Sequence, residues 1–315
     1  MNDFPELRDI VEKFGFHATG FQEARGGFNK NWIVSCSDKK FVLKRRPTSA
    51  LQRSKTECEL SEFLASRGFP TAKPVKSPSG NFILQGNSYV FSLFEFVNAG
   101  KYVDSVPGLK AAARSMALFH EKTVGYAGTQ SFQGTSLNWC ERSLEEYSGP
   151  GKEKFAEMAR ENMLEIEQRS EELSRALVHW DFHAGNLLAG SDKVFVFDLE
   201  FAHEDYRVMD VANSLSLLAA LSPGKIDYGD ALSFVQECEL DFNKARAFLS
   251  EYNSCSALNE NDFKSLPAAL SLAWISWSLY TFNKLSFSEK LVEKALYFPA
   301  WVEKNRDKIL KRLFV

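Results

Sequence analysis

The chain has 315 residues, of which 44% are hydrophobic and 25% charged, with a formal net charge of -3. That make-up is of an ordinary soluble protein, long enough for one large domain or two lobes with substantial cores. It has neither the basic excess of a nucleic-acid binder nor the acidic tail of a scavenger. Cys36, Cys58, Cys140, Cys238 and Cys255 are dispersed without metal-ligand spacing, which reads as reduced thiols in a cytoplasm.

The N-terminal stretch MNDFPELRDIVEKFG carries acidic residues and no long apolar run, so it reads as neither signal peptide nor membrane span. Phe4, Leu7, Ile10, Val11 and Phe14 recur at helical spacing and Gly15 stops the pattern, predicting an entry helix. Asn31 to Cys36 and Lys40 to Arg45 then form a strand hairpin about the turn Ser37-Asp38-Lys39. Just before it lie Gly26, Gly27 and Asn29. A Gly-Gly pair is commonly only a turn, but ahead of a lysine-bearing strand its backbone amides can approach a triphosphate closely.

Strand alternation puts Val42 and Lys44 on one face and Phe41 and Leu43 on the other. Leu51 to Arg67 reads as a helix stopped by Gly68, and Glu57 falls on its buried side with Leu60 and Leu64, while Glu59 and Glu62 face solvent. A buried carboxylate without a cation costs several kcal/mol, so Glu57 is paired with Lys44. Strands near Asn81 to Leu84 and Ser88 to Phe96 follow, the second nearly all apolar.

From Val106 onward the pattern is helical: Leu109 to His120, with His120 structural, and a charged surface helix at Lys152 to Leu173. Then comes ALVHWDFHAGNLLAGSDKVFVFDLE, residues 176–200. Ala176 to Val178 and Val194 to Phe197 read as strands flanking a polar loop that carries His179, Asp181, His183 and Asn186. Phosphoryl transfer from ATP needs a carboxylate to accept a hydroxyl proton and hard oxygens to hold magnesium. Asp181 suits the first task, Asn186 and Asp198 the second, and Glu200 is a further metal candidate. Arg207 to Leu221 reads as a helix whose Asp210 braces the loop. Three helices complete the chain: Asp241 to Ser250, Glu260 to Phe282 and Ser288 to Leu313. The middle one is apolar on most faces, but its lysine-bracketed segment reads as buried rather than membrane-spanning. Trp274, Trp277 and Tyr280 share one of its sides, as core or as a wall of a substrate pocket.

HWDFHAGNLL followed by VFDLE resembles the catalytic and metal-binding motifs of the aminoglycoside phosphotransferase and choline kinase superfamily, with Trp180 where that family usually has glycine. The segment from Gly26 to Val34, with Phe41-Val42-Leu43, Gly68-Phe69-Pro70 and the Leu258 to Pro267 stretch, is similar to the kinase-like homoserine kinase branch, although members of that branch often lack a lysine at the Lys44 position. The resemblance implies an α+β, two-lobed protein-kinase-like fold. Residues 1–97 would be a small antiparallel-sheet lobe and residues 98–315 a mainly helical lobe, with a hinge at 95–100. It further implies Mg2+ and ATP as cofactors, Lys44 orienting phosphates with Glu57 orienting Lys44, and adenine bonding backbone near Glu95 to Val97.

The expected activity is transfer of the γ-phosphate to a hydroxyl of an amino-bearing small molecule. Homoserine, choline or ethanolamine, amino sugars and aminoglycosides are the classes in view, acted on by a cytoplasmic monomer or homodimer. A catalytically weak nucleotide-binding or interaction protein is the alternative. Either Glu200, Glu204, Asp205 and Asp210 give the acceptor site an acidic mouth that attracts a cation, or Glu200 serves magnesium, Asp210 braces the loop, and Glu204 and Asp205 merely face solvent.

Overall fold

The computed structural model describes residues 5–24, 29–191, 193–221, 224, 226–227 and 230–314. Helix α1 (Pro5–Lys13) leads into β1 (Ala18–Ala24), β2 (Lys30–Cys36) and β3 (Lys40–Pro47), and helix α2 (Leu51–Ser66) precedes β4 (Ile83–Gln85) and β5 (Tyr89–Glu95). The five strands form one antiparallel sheet in the order β1-β2-β3-β5-β4. Strand β1 escapes sequence reading because Gly20 and its polar neighbours blur the alternation.

Alternation along β3 is as expected: Phe41 and Leu43 join Trp32, Val34 and Leu93 in a core that α1 covers with Leu7, Ile10 and Val11. The other face turns Val42 and Lys44 into a cleft. Helix α2 ends at Gly68, whose φ of 76° places it in the left-handed region that glycine enters without cost. Its Leu60 and Leu64, with Phe69, pack not in the sheet's core but in the large cluster built by the helices downstream.

The remainder is mainly helical. It runs β6 (Gly100–Lys101), α3 (Val106–Lys122), α4 (Ser136–Glu146), α5 (Lys152–Gln168), β7 (Arg175–Val178), β8 (Leu187–Ala189), β9 (Val194–Val196), β10 (His203–Tyr206), α6 (Arg207–Leu218), α7 (Phe242–Cys255), α8 (Glu260–Lys284), α9 (Glu289–Lys304) and α10 (Arg306–Leu313). The whole is α+β, a small antiparallel sheet followed by a helical body.

The strands on either side of the polar loop belong to different sheets: β7 pairs with β10, while β9 pairs with β8, which pairs with β6. Two readings change. The helix expected over Ser288 to Leu313 breaks at Asn305, whose side-chain amide donates to the Trp301 carbonyl at 2.9 Å and competes with the helical ladder. Helix α5 lies at the surface as expected, with Lys154, Glu157, Arg160 and Glu161 exposed and the stripe Phe155, Ala159, Met163 and Ile166 buried, but it stops at Gln168, short of Leu173. The apolar α8 is interior, as expected, and among the described residues no helix is long and apolar enough to cross a membrane. All five cysteines are unpaired.

Candidate active site

The loop after β7 is fixed by directed hydrogen bonds, several of them converging on one buried carboxylate. Asp210, fully buried on α6, accepts from the backbone amides of His179 at 2.8 Å and Trp180 at 2.9 Å, and from His120 Nε2 at 2.9 Å. His120 Nδ1 in turn accepts from the Tyr252 hydroxyl at 2.7 Å, which receives two hydrogen bonds from Arg207. Burial, the largest influence on His120, lowers its pKa despite Asp210, so the ring is neutral and the contact is a hydrogen bond rather than an ion pair. His179 donates from Nε2 to the Phe197 carbonyl and accepts the Asp181 amide at Nδ1, tying the loop to the end of β9. Bracing by Asp210 and the structural character of His120 are as expected.

Trp180, standing where the resembling families have glycine, keeps a glycine-like backbone with φ 64°. That conformation costs a bulky residue about 1–3 kcal/mol. Full burial of the indole against Trp139, Trp277 and His203 offsets it. The Trp180 carbonyl accepts from Asn213 Nδ2 and from Trp277 Nε1, so the next residue is held from both sides. That residue is Asp181. Asn186 Nδ2 donates to its carboxylate and to its carbonyl, both at 2.9 Å, and His183 Nε2 lies 3.4 Å from Oδ1.

Across the cleft the residues are held by charge. Lys44 Nζ meets Glu57 Oε1 at 2.5 Å and Asp198 Oδ1 at 3.0 Å, the pair read from strand and helix faces. Arg46, which sequence reasoning missed, contacts Glu57, Asp198 and Glu200 together. Extending the alternation of Val42 and Lys44 by one step would have found it. Asn29 Nδ2 donates to Glu200 Oε1 at 3.0 Å, joining the sheet to the short 3-10 helix Leu199–Phe201. Burial opposes the charge on Lys44 and Arg46, but the surrounding carboxylates outweigh it and both pKa values are raised. Burial likewise pushes the Asp198 carboxyl up, and Lys44 and Arg46 outweigh it and hold it well below the usual carboxylate range. Glu200 is pushed up by its burial.

Both groups of residues line one cleft of about 930 Å³. Asn29, Lys44, Glu57, Asp181, Asn186, Asp198 and Glu200 all face it, as do Glu95 and Val97 at the rim. Gly26 and Gly27 lie outside the described residues. Among the described residues no group of three His, Cys, Asp or Glu could hold a metal. What the cleft offers is Asn186 and Asp198, two hard oxygen donors; that set suits an ion such as Mg2+, which takes its other ligands from phosphates and water.

The acidic mouth is not formed. Asp205 is buried and accepts the Ser136 amide at 2.8 Å, Asp210 is buried as described, and Glu204 lines a separate shallow cleft with Gln130 and Arg175. The cleft instead carries aromatic lining, Phe201, Phe234, Trp274 and Trp277, with the exposed Asp227 also facing it. Trp274 and Trp277 are therefore both core and wall, while Tyr280 hydrogen-bonds Arg53.

The chain is similar to known small-molecule kinases. A homoserine kinase of Methylobacillus glycogenes is 25% identical over 273 residues, covering 84% of this chain and 80% of that one. Among solved structures, a microcompartment-associated aminopropanol kinase superposes with a TM-score of 0.70 at 15% identity, covering 99% of this chain and 100% of that one. An amicoumacin kinase in complex with AMP-PNP and Ca2+ gives 0.65 at 16% identity, covering 98% and 94%. The phosphotransferase enzyme family (APH) matches residues 20–234, and with Asp181, Asn186 and Asp198 gathered in one cleft, this chain belongs to that family.

Proposed function

We propose that the chain transfers the γ-phosphate of ATP, with Mg2+, to a hydroxyl of a small molecule that also bears an amino group. The observation carrying this reading is the position of Asp181. Its carboxylate is held by Asn186, lines the cleft, and shares it with Lys44 and Asp198. Asp181 accepts the proton of the attacking hydroxyl, and a direct transfer needs no phosphoenzyme. Lys44, oriented by Glu57, draws the phosphates into line. Asn186 and Asp198 would hold the magnesium ion, which neutralises charge on the transferring phosphate when bound. Glu95 to Val97 form the adenine edge, with the lobes dividing at 95–100.

The amine is supported by aromatic faces of Phe201, Phe234, Trp274 and Trp277, which attract cations, together with the carboxylates of Asp181 and Asp227. It is supported too by relatives named for homoserine, aminopropanol and choline, the last a Cryptosporidium parvum enzyme. The test is ATP consumption against homoserine, choline, ethanolamine, amino sugars and aminoglycosides, each beside a matched hydroxyl compound lacking nitrogen. Equal or faster turnover of the nitrogen-free compounds would exclude the amine; no turnover of any would favour a catalytically weak nucleotide binder.

A further inference from the structure

Arg46 stands two residues beyond Lys44 on β3, so both project from the same face of the sheet. Only 2% of it is exposed. Its Nη1 lies 2.7 Å from Glu57 Oε2, its Nη2 3.0 Å from Asp198 Oδ1 and its Nε 3.2 Å from Glu200 Oε2. The three carboxylates come from α2, from the residue after Phe197, and from the 3-10 helix. Only the Nη2 contact is aligned as a hydrogen bond. Arg46 Nε and Nη1, Glu57 Oε2 and Glu200 Oε2 are buried without an aligned hydrogen-bond partner. Four buried polar atoms are thus held by closeness of charge rather than by directed bonds.

Glu200 is committed elsewhere as well. Its Oε1 accepts from Asn29, and Arg53 Nη1 stands 3.8 Å from Oε2. Lys44, Arg46 and Arg53 therefore face Glu57, Asp198 and Glu200, three cations against three carboxylates. A divalent ion entering a neutral cage makes it cationic, which disfavours entry until anionic phosphates arrive.

We propose that Arg46 is a positioning residue that serves as the phosphate site's built-in cation, holding Glu57, Asp198 and Glu200 together and withholding Glu200 from the divalent ion. The ion then binds in company with the nucleotide rather than before it. This rests on the phosphotransfer reading only in expecting a divalent ion at Asp198. Lysine cannot replace Arg46, because an ammonium has no planar fork with which to span three carboxylates.

The experiment is Mn2+ titration of the full chain, without nucleotide and with AMP-PNP, followed by electron paramagnetic resonance of free Mn2+. Wild type should bind Mn2+ weakly alone and more tightly with AMP-PNP. Arg46→Met should bind Mn2+ without nucleotide roughly tenfold more tightly, the scale of one unbalanced charge a few ångströms away, and Arg46→Lys should show a smaller gain. Adding Glu200→Gln to Arg46→Met should cancel most of the gain. Near-ultraviolet circular dichroism identifies the folded variants, and Arg46→Lys decides the matter if Arg46→Met does not fold. Unchanged or weaker Mn2+ binding in a folded variant would overturn the proposal, because a merely structural arginine moves the melting temperature and not the nucleotide-free Mn2+ affinity. If the wild type binds Mn2+ yet phosphorylates no compound of the acceptor panel, the reaction assignment falls and the Arg46 result stands.

Discussion

The two sides of the cleft are built on different physics. The sheet side is a cage of full charges, with Lys44 and Arg46 shared among Glu57, Asp198 and Glu200. The loop side is held by amides, ring nitrogens and indoles, with Asp210 collecting backbone donors and Trp277 and Asn213 holding the Trp180 carbonyl. Charges that neutralise one another can be re-sorted when phosphates and a divalent ion enter. Directed hydrogen bonds cannot be re-sorted without leaving a buried donor unpaired, at about 1–3 kcal/mol each. In the proposed reaction the partner-sorting region would bind the nucleotide and the fixed region would hold the proton acceptor.

The largest effect expected from this contrast is on turnover. Asp181→Asn should bind ATP as the wild type does in calorimetry while kcat falls roughly 10²–10⁴-fold, the scale of removing a general base. Loss of ATP binding in step with kcat would show that Asp181 belongs to the cage and not to the loop. Next comes Trp180→Gly, which removes the left-handed strain and a fully buried indole together. Truncating a buried Trp to Ala costs about 3–5 kcal/mol and the strain returns about 1–3 kcal/mol. Urea unfolding should therefore show a net loss of about 2 kcal/mol, and a variant more stable than the wild type would mean that strain dominates the loop.

A smaller effect is expected inside the cage. Lys44→Ala and Glu57→Ala, singly and together, should be non-additive in ATP affinity by at least about 0.5 kcal/mol, the lower end for residues in contact. Strict additivity would leave Arg46 as the true partner of Glu57. The smallest concerns pH. His120 has a pKa lowered by burial below the ordinary imidazole value of 6.5, so the unfolded chain binds its proton more readily. Its contribution is fully present above about pH 6.5 and is lost as pH falls from there through the lowered value, at no more than about 1.4 kcal/mol per pH unit. His120→Gln should flatten that part of the stability profile measured by urea unfolding.

What could be read from sequence was local. Asp181, Asn186 and Asp198 fall in one short stretch, and the Lys44–Glu57 pair follows from two periodicities, 2 on the strand and 3.6 on the helix. What was missed depends on distant partners. Asp205 looks like a free acid until the Ser136 amide arrives from elsewhere in the chain. Strands β8 and β10 are too short for a period to show, and neither contains a clear apolar alternation. Arg46 reads as one of two adjacent surface arginines until α2 and the 3-10 helix close over it, whereas Arg45 stacks on Trp32 and Tyr89.

Helix α2 belongs to two neighbourhoods at once. Leu60 and Leu64 are embedded in the helical body, and Arg53 reaches Tyr280 and lies over the Phe201 ring. Glu57, on the same helix, grips Lys44 of the sheet. Any widening of the cleft that leaves those apolar contacts intact makes the sheet slide across a helix that stays behind. The joint that slips is then the Lys44–Glu57 contact, so breathing of the cleft and release of Lys44 from its carboxylate are one event.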